Sequence, residues 1–309
     1  MRRNRSILLL GGRSDFSAVV LTHLARAGLG RMRAAVLRAS SPDRPGLDTG
    51  APTLPVSVAD PLSRAAEASG TPLEVLESID ELSRQNRDFD LIVTACFPRR
   101  VPPSVLARAR MSSLNVHPSL LPAYRGPSPL FWQLRAGEAT VGVSVHRLSD
   151  ELDAGDVVAA EALALAPRMS AKEIHRAVVQ AGAALLTRTL QHEDWCALPG
   201  SAQDPAKASY YSWPAAEDFS ISRRWPAERA FRFMRGTQNW GHPYTVNVDG
   251  VRLVLDRALS YDPCGRLPHA WSRRGQTVSI GFQPGVLRAV VRRVLVKPER
   301  KARPAAGRA

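Results

Sequence analysis

The chain has 309 residues, 44% of them hydrophobic, with a formal net charge of +14 from 42 Lys and Arg against 28 Asp and Glu. That length predicts two domains with ample material for a core, and the charge points to an anionic partner such as RNA, or a phosphorylated substrate or cofactor. Its 3 cysteines, Cys96, Cys196 and Cys264, are too few and too scattered for a disulfide frame or zinc knuckle. No apolar run could span a membrane and no cleavage pattern follows the Arg-rich start, so a cytoplasmic protein is expected.

Residues 6–10 read as an apolar first strand, Gly11-Gly12 as a turn, and Asp15–Ala27 as a helix, the opening of a parallel α/β sheet. The glycines have neither dinucleotide-fingerprint nor P-loop spacing. A second strand at 34–37 leads into the Pro/Gly loop 41–46. The pattern then predicts a helix over Pro61–Ser69, an edge strand over Leu73–Leu76, a helix over 79–85, a buried strand over 90–96 and a helix over 103–109.

Residues 114–156 carry the densest pattern. Asn115-Val116-His117 closes a short strand and a proline-rich loop follows. An amphipathic segment at 130–135, the alternation Val141, Val143, Val145, and an acidic loop through Asp153 and Asp156 complete it. Strand ends feeding irregular loops are where open α/β sheets place ligand sites. A strand at 157–165 precedes a long helix to 191, whose start carries a Ser170–Glu173 capping box. His192, Glu193, Asp194 and Cys196 have no standard ligand spacing, and no metal is expected.

Residues 198–216 are rich in Pro, Ser, Ala and Tyr and read as a linker, with a helix at 226–235. Short strands at Tyr244–Val248, 251–255, 277–280 and 287–291 suit a small oligonucleotide-binding (OB) type barrel. Arg252, Arg257, Arg266, Arg273, Arg274, Arg288, Arg292 and Arg293 would give it a surface for phosphates. The expected plan is a catalytic domain at 1–197, a linker with helix at 198–240, a barrel at 241–297 and a basic disordered tail at 298–309.

Asn115-Val116-His117, Ser119-Leu120-Leu121-Pro122, Arg125-Gly126 and Asp153-Ala154-Gly155-Asp156 resemble, in identity and spacing, the signature of the folate-dependent formyltransferases. This family holds methionyl-tRNA formyltransferase, amino-sugar formyltransferases and glycinamide ribonucleotide transformylase. The resemblance implies a Rossmann-like open, mostly parallel sheet with helices on both faces, plus a small C-terminal OB-type β-barrel. It also implies formyl transfer from the cosubstrate 10-formyltetrahydrofolate to a primary amine. The catalytic residues would be Asn115, His117 and Asp153. Negative charge builds on the formyl oxygen when an amine attacks, and an Asn amide and a His N–H can donate to it. Asp153, directly or through one water, can take the amine's proton.

The same resemblance assigns Ala95, Cys96 and Phe97, and Ser119, Leu120, Leu121 and Pro122, to the folate, together with Ser149, Asp150 and Asp156 of the acidic loop. It assigns Gly12, Arg44, Arg125 and Gly126 to the acceptor. Cys96 reads as a wall or core thiol, since no activating base is visible. The partner would be initiator methionyl-tRNA or a small phosphorylated amine, with no DNA or membrane involved. Two departures bear on this. Pro127 to Trp132 is more like amino-sugar enzymes than tRNA enzymes, whereas Pro42-Asp43-Arg44-Pro45 is similar to the tRNA enzymes. Glu151 stands where the family usually has a glycine able to take positive φ. Three readings follow: a methionyl-tRNA formyltransferase-like enzyme, a formyltransferase for a small amine such as a nucleotide-linked amino sugar, or a non-catalytic folate- or RNA-binding module.

Overall fold

Seven strands form one sheet: β1 (Ser6–Gly11), β2 (Arg31–Leu37), β3 (Leu73–Leu76), β4 (Phe89–Ala95), β5 (Ala109–His117), β6 (Thr140–Arg147) and β7 (Val157–Ala164). Their order is β3-β2-β1-β4-β5-β6-β7. The first five run parallel, β6 runs antiparallel to β5, and β7 runs antiparallel to β6, which returns it to the direction of the first five. The computed structural model describes residues 5–38 and 60–296. The expected Arg44 contact, the loop 41–46 and the tail 298–309 lie outside the described residues.

β1 and β4 are nearly continuous apolar runs because both of their faces are covered. On one face Leu8, Leu10 and Ile92 meet Leu82 of α3 (Asp80–Arg84) and Val105 of α4 (Pro103–Leu106). Val116 points to the other face, where Gly182 of α6 (Ala171–Thr189) lets that helix approach Val116 and Phe16 of α1 (Asp15–Ala27). α2 (Pro61–Ser69) packs beside α1. The Ser170–Glu173 capping box forms as expected and fixes the start of α6. The helix expected over 103–109 is shorter. It stops at Leu106, and Ala109 already pairs with Phe89 across the β4–β5 ladder. A backbone bond from Phe89 N to Arg108 O at 2.8 Å claims that end of the segment for the sheet.

The chain divides into two compact units, 1–214 and 215–309. The expected linker is therefore split. Residues 198–214 belong to the first unit, while 215–240, including α7 (Ala227–Gly236), belong to the second. The second unit is a sheet in the order β11-β12-β13-β10-β9-β8, built from β8 (Ser220–Ile221), β9 (Tyr244–Val248), β10 (Val251–Asp262), β11 (Trp271–Arg274), β12 (Thr277–Gly281) and β13 (Val286–Val296). Register shifts between β10 and β13 mark bulges, which bend long strands toward a barrel. The order leaves two ends, β11 and β8, so the OB-type β domain is partly open. Its core holds Tyr244, Val246, Leu253, Leu255, Val278, Ile280 and Leu287, and all eight predicted arginines are exposed. No helix among the described residues is long and apolar enough to cross a membrane.

Candidate active site

β4, β5 and β6 end side by side, and their register decides which side chains meet. Thr94 is opposite Asn115, and Asn115 opposite His146, so three neighbouring strands project these residues from one face. His117 shares that face through the two-residue period of a strand. Thr94 Oγ1 donates to Asn115 Oδ1 at 2.7 Å, which fixes the amide. Asn115 Nδ2 then lies 3.0 Å from His146 Nε2. His146 Nδ1 is 2.8 Å from the Arg147 carbonyl, so Nδ1 carries the hydrogen and Nε2 accepts from Asn115. His117 Nε2 donates to the Tyr124 carbonyl at 2.9 Å. Both imidazoles are buried, with ring centroids 6.2 Å apart in an edge-to-face pair.

Asp153 approaches from the loop between β6 and β7. Its Oδ1 is 3.6 Å from both His117 Nδ1 and His146 Nε2 and 3.4 Å from Asn115 Nδ2. Its Oδ2 accepts the Gly126 N–H at 2.9 Å. Burial by itself would raise this carboxyl, but His117, His146 and the Gly126 N–H outweigh it and hold the pKa at about 2. Burial pushes His117 below the usual histidine value, against the upward pull of Asp153 and the Tyr124 carbonyl. Four non-glycine residues take positive φ among the described residues, and Cys96, Tyr124 and Asp153 are three of them. Such backbone concentrates at functional sites. Glu151 takes no positive φ; the left-handed residue of that loop is Asp153.

Residues 201–212, read above as linker, run against the site. Val157 and Ser201 exchange backbone hydrogen bonds, both at 2.9 Å. Ser209 N donates to the Pro122 carbonyl at 3.2 Å, Arg125 N to the Ser209 carbonyl at 2.8 Å, and Tyr211 N to the Arg125 carbonyl at 3.0 Å. Ser209 Oγ also accepts the Tyr124 N–H at 2.9 Å. Tyr211 stacks with Tyr124 on one side and Trp132 on the other, with centroids 5.7 and 4.8 Å away. Gly126, at φ 109, is the position that permits this: a Cβ there would lie 2.0 Å from the Tyr211 carbonyl oxygen.

A recess of about 80 Å³ is lined by Thr94, Asn115, His146 and Asp153 of the site, by the apolar Phe97, Val101, Leu148 and Leu152, and by Arg99, Arg100, Ser149 and Glu151. Beside it, a cavity of about 400 Å³ is bounded by Arg100, Arg125, Asp150, Glu151, Leu152 and Tyr210. Of the residues that the sequence reading gives to ligands, Phe97, Ser149, Asp150 and Arg125 line these spaces. Others do not line these spaces. Ser119 is buried and donates its hydroxyl to the Ala123 carbonyl, while Ser144 Oγ donates to the Ser119 carbonyl and accepts the Leu121 N–H. Leu120 lies over Gly142, and Pro122 is engaged by Ser209. Asp156 is exposed and its carbonyl accepts from Arg147 N. Gly12 packs on the Cys96 carbonyl, and Ala95 accepts from Ser17 Oγ. Gly126 serves Asp153 through its N–H. Cys96 is accessible, yet the protein packed around it raises its thiol to about 11, which leaves no thiolate nucleophile at neutral pH. The sequence reading missed Thr94, His146 and Gln203.

Adjacent strand ends thus gather an amide and two imidazoles, the β6–β7 loop brings a carboxylate to them, and relatives give the class, a group-transfer enzyme. The profile of the family described as Formyl transferase matches residues 5–190, and the chain belongs to that family. Methionyl-tRNA formyltransferase of Moorella thermoacetica is 32% identical over 311 residues, covering 96% of this chain and 94% of its own. Among solved structures, the sugar 3N-formyl transferase WlaRD superposes with a TM-score of 0.67 at 13% identity, covering 94% of this chain and 98% of its own. The N-formyltransferase from Helicobacter canadensis gives 0.65 at 13% identity, covering 92% and 98%. At that identity the two structures speak for the fold.

Proposed function

We propose that this protein transfers the formyl group of 10-formyltetrahydrofolate to the amino group of methionyl-tRNA. The observation that carries the formyl-transfer chemistry is the meeting of Asn115, His117 and Asp153, with the Asp153 carboxylate 3.4–3.6 Å from both partners. The acceptor assignment draws on the methionyl-tRNA formyltransferases, whose resemblance extends over 96% of the chain for the Moorella enzyme. The exposed arginines of the second unit suit an RNA backbone.

Bound 10-formyltetrahydrofolate supplies the formyl group as an activated acyl donor. The recess suits it in composition: four apolar side chains offer contact for a flat ring, and the polar and charged side chains beside them offer hydrogen bonds. Asn115 Nδ2 makes a long 3.4 Å contact to Asp153, and an oxygen gaining negative charge would take over that N–H. His117 gives its Nε2 hydrogen to the Tyr124 carbonyl, so it becomes the second donor once Nδ1, 3.6 Å from Asp153, takes up the proton that the amine sheds. Asp153, held at about 2, is a weak base. It works as a fixed negative charge that orients the attacking amine and steadies His117 while that ring holds the amine's proton; as the bond from the formyl carbon to the folate nitrogen breaks, the proton would pass to that departing nitrogen.

A second reading, a small phosphorylated amine such as a nucleotide-linked amino sugar, is favoured by Pro127 to Trp132, where Trp132 joins the stack on Tyr211. The test is tetrahydrofolate release with charged initiator methionyl-tRNA or a nucleotide-linked amino sugar, using Asp153→Ala as control. Release that requires both tRNA and Asp153 is expected. Release only with the sugar would select the second reading. Folate binding without transfer to either acceptor would count against both and favour a binding module.

A further inference from the structure

Asp153 rides on residues 148–156, which form neither helix nor strand. A carboxylate kept within reach of two buried imidazoles needs that backbone fixed. Gln203 supplies the fixing. Its Nε2 donates to the Asp153 carbonyl at 2.8 Å and to the Gly155 carbonyl at 2.7 Å. Its Oε1 accepts from Arg125 Nε at 3.1 Å and Nη2 at 2.8 Å. A Gln side chain offers two N–H donors and one oxygen with two lone pairs, so these four bonds use its whole capacity. Other polar residues fail here: Glu lacks the donors, Lys and Arg lack the acceptor, and Asn is one methylene shorter.

The two loops joined in this way are the two that hold Asp153. One carries it, and the other binds its Oδ2 through the Gly126 N–H. Arg125 changes meaning as a result. The sequence reading gives it to the acceptor, but its guanidinium is bonded to Gln203, with Glu151 3.4 Å away, and only 12% of its side chain is exposed.

We propose that Gln203 is a positioning residue for formyl transfer, setting the Asp153 carboxylate from a segment beyond the family-matched residues 5–190. This rests on the role given to Asp153 above. Gln203→Met keeps the length and removes all four hydrogen bonds; Gln203→Ala removes the side chain. Relative to wild-type enzyme, with 10-formyltetrahydrofolate and methionyl-tRNA, kcat for either variant should fall about tenfold to a hundredfold, the scale of an ångström-sized misplacement. KM for both substrates should stay within about twofold, because the loss falls on the transition state. A second readout needs no turnover. In ¹⁵N-histidine NMR titrations, loss of a fixed Asp153 should move the His117 midpoint to lower pH in both variants. Unchanged kcat, or a change confined to KM, would overturn the proposal. If the wild type transfers formyl to no acceptor, the functional reading fails, and an unchanged His117 titration in Gln203→Met would then separately overturn the role of Gln203.

Discussion

Asn115, His117 and His146 take their places from the register of β5 between β4 and β6, whereas Asp153 takes its place from hydrogen bonds supplied by residues 27 and 50 positions away. The first arrangement is backed by the whole sheet: a ladder cannot slip by one residue without turning a buried face outward. The second rests on a handful of contacts, each worth about 1 kcal/mol net. One half of the site is thus cooperative with the core, and the other can be loosened without unfolding anything. Strand substitutions should alter how a group points, and loop substitutions should alter where a group is.

Asp153→Ala should have the largest effect, a fall of about 10²–10³-fold in kcat, comparable to removing an oxyanion-hole donor. Tetrahydrofolate release measures it, with circular dichroism to show an unchanged fold. Wild-type turnover would place the chemistry elsewhere. Thr94→Val probes the strand half. It deletes the 2.7 Å bond to Asn115 Oδ1 with little change of shape. A loss near 1.4 kcal/mol corresponds to about tenfold in rate, and a restored rate in a variant with a repositioned hydroxyl would confirm orientation as the cause.

Asp153→Asn tests the electrostatics between the halves. The carboxylate pulls the His117 pKa upward, so its removal should move the His117 midpoint down, seen as a shift to lower pH by NMR. A midpoint that rises would reverse the assigned sign. Because the Asp153 carboxyl lies at about 2, any acid limb of kcat/KM between roughly pH 4 and 6 should belong to another group, and it should survive in Asp153→Asn. The smallest effect is expected from Glu151→Gly. The Glu151 side chain is 77% exposed and only 3.4 Å from Arg125. A long ion pair with one partner this exposed contributes little, so kcat should stay within about twofold. A large loss would mean that the loop half depends on this contact as well.

What could be read from the sequence divides along the same line. The strand ends were legible because local signals agree: apolar runs, a terminal Asn-x-His, and turn residues immediately after. The Ser170 cap and the exact span of α1 follow from equally local chemistry. His146 was hidden because nearly every residue of β6 is buried on both faces, so its alternating valines did not mark an inside and an outside. Strand β11 was missed for the converse reason, since Trp-Ser-Arg-Arg carries no apolar alternation. Gln203 was invisible because its bonds run to residues 48 to 78 positions away, and its neighbours have the composition of a loop. Only the Gln203 amide and the carbonyls it meets reveal the connection, and neither leaves a periodic trace.

The close fit of Gly126 under the Tyr211 carbonyl has a consequence for how this gene can be divided and recombined. The profile match ends at residue 190 and the composition changes near 198, either of which invites a cut. A chain ended there would keep Asn115, His117 and Asp153 yet lose Gln203, Ser209 and Tyr211. Chimeras that exchange the C-terminal unit to alter the acceptor should therefore be joined after Pro214, where the first compact unit closes.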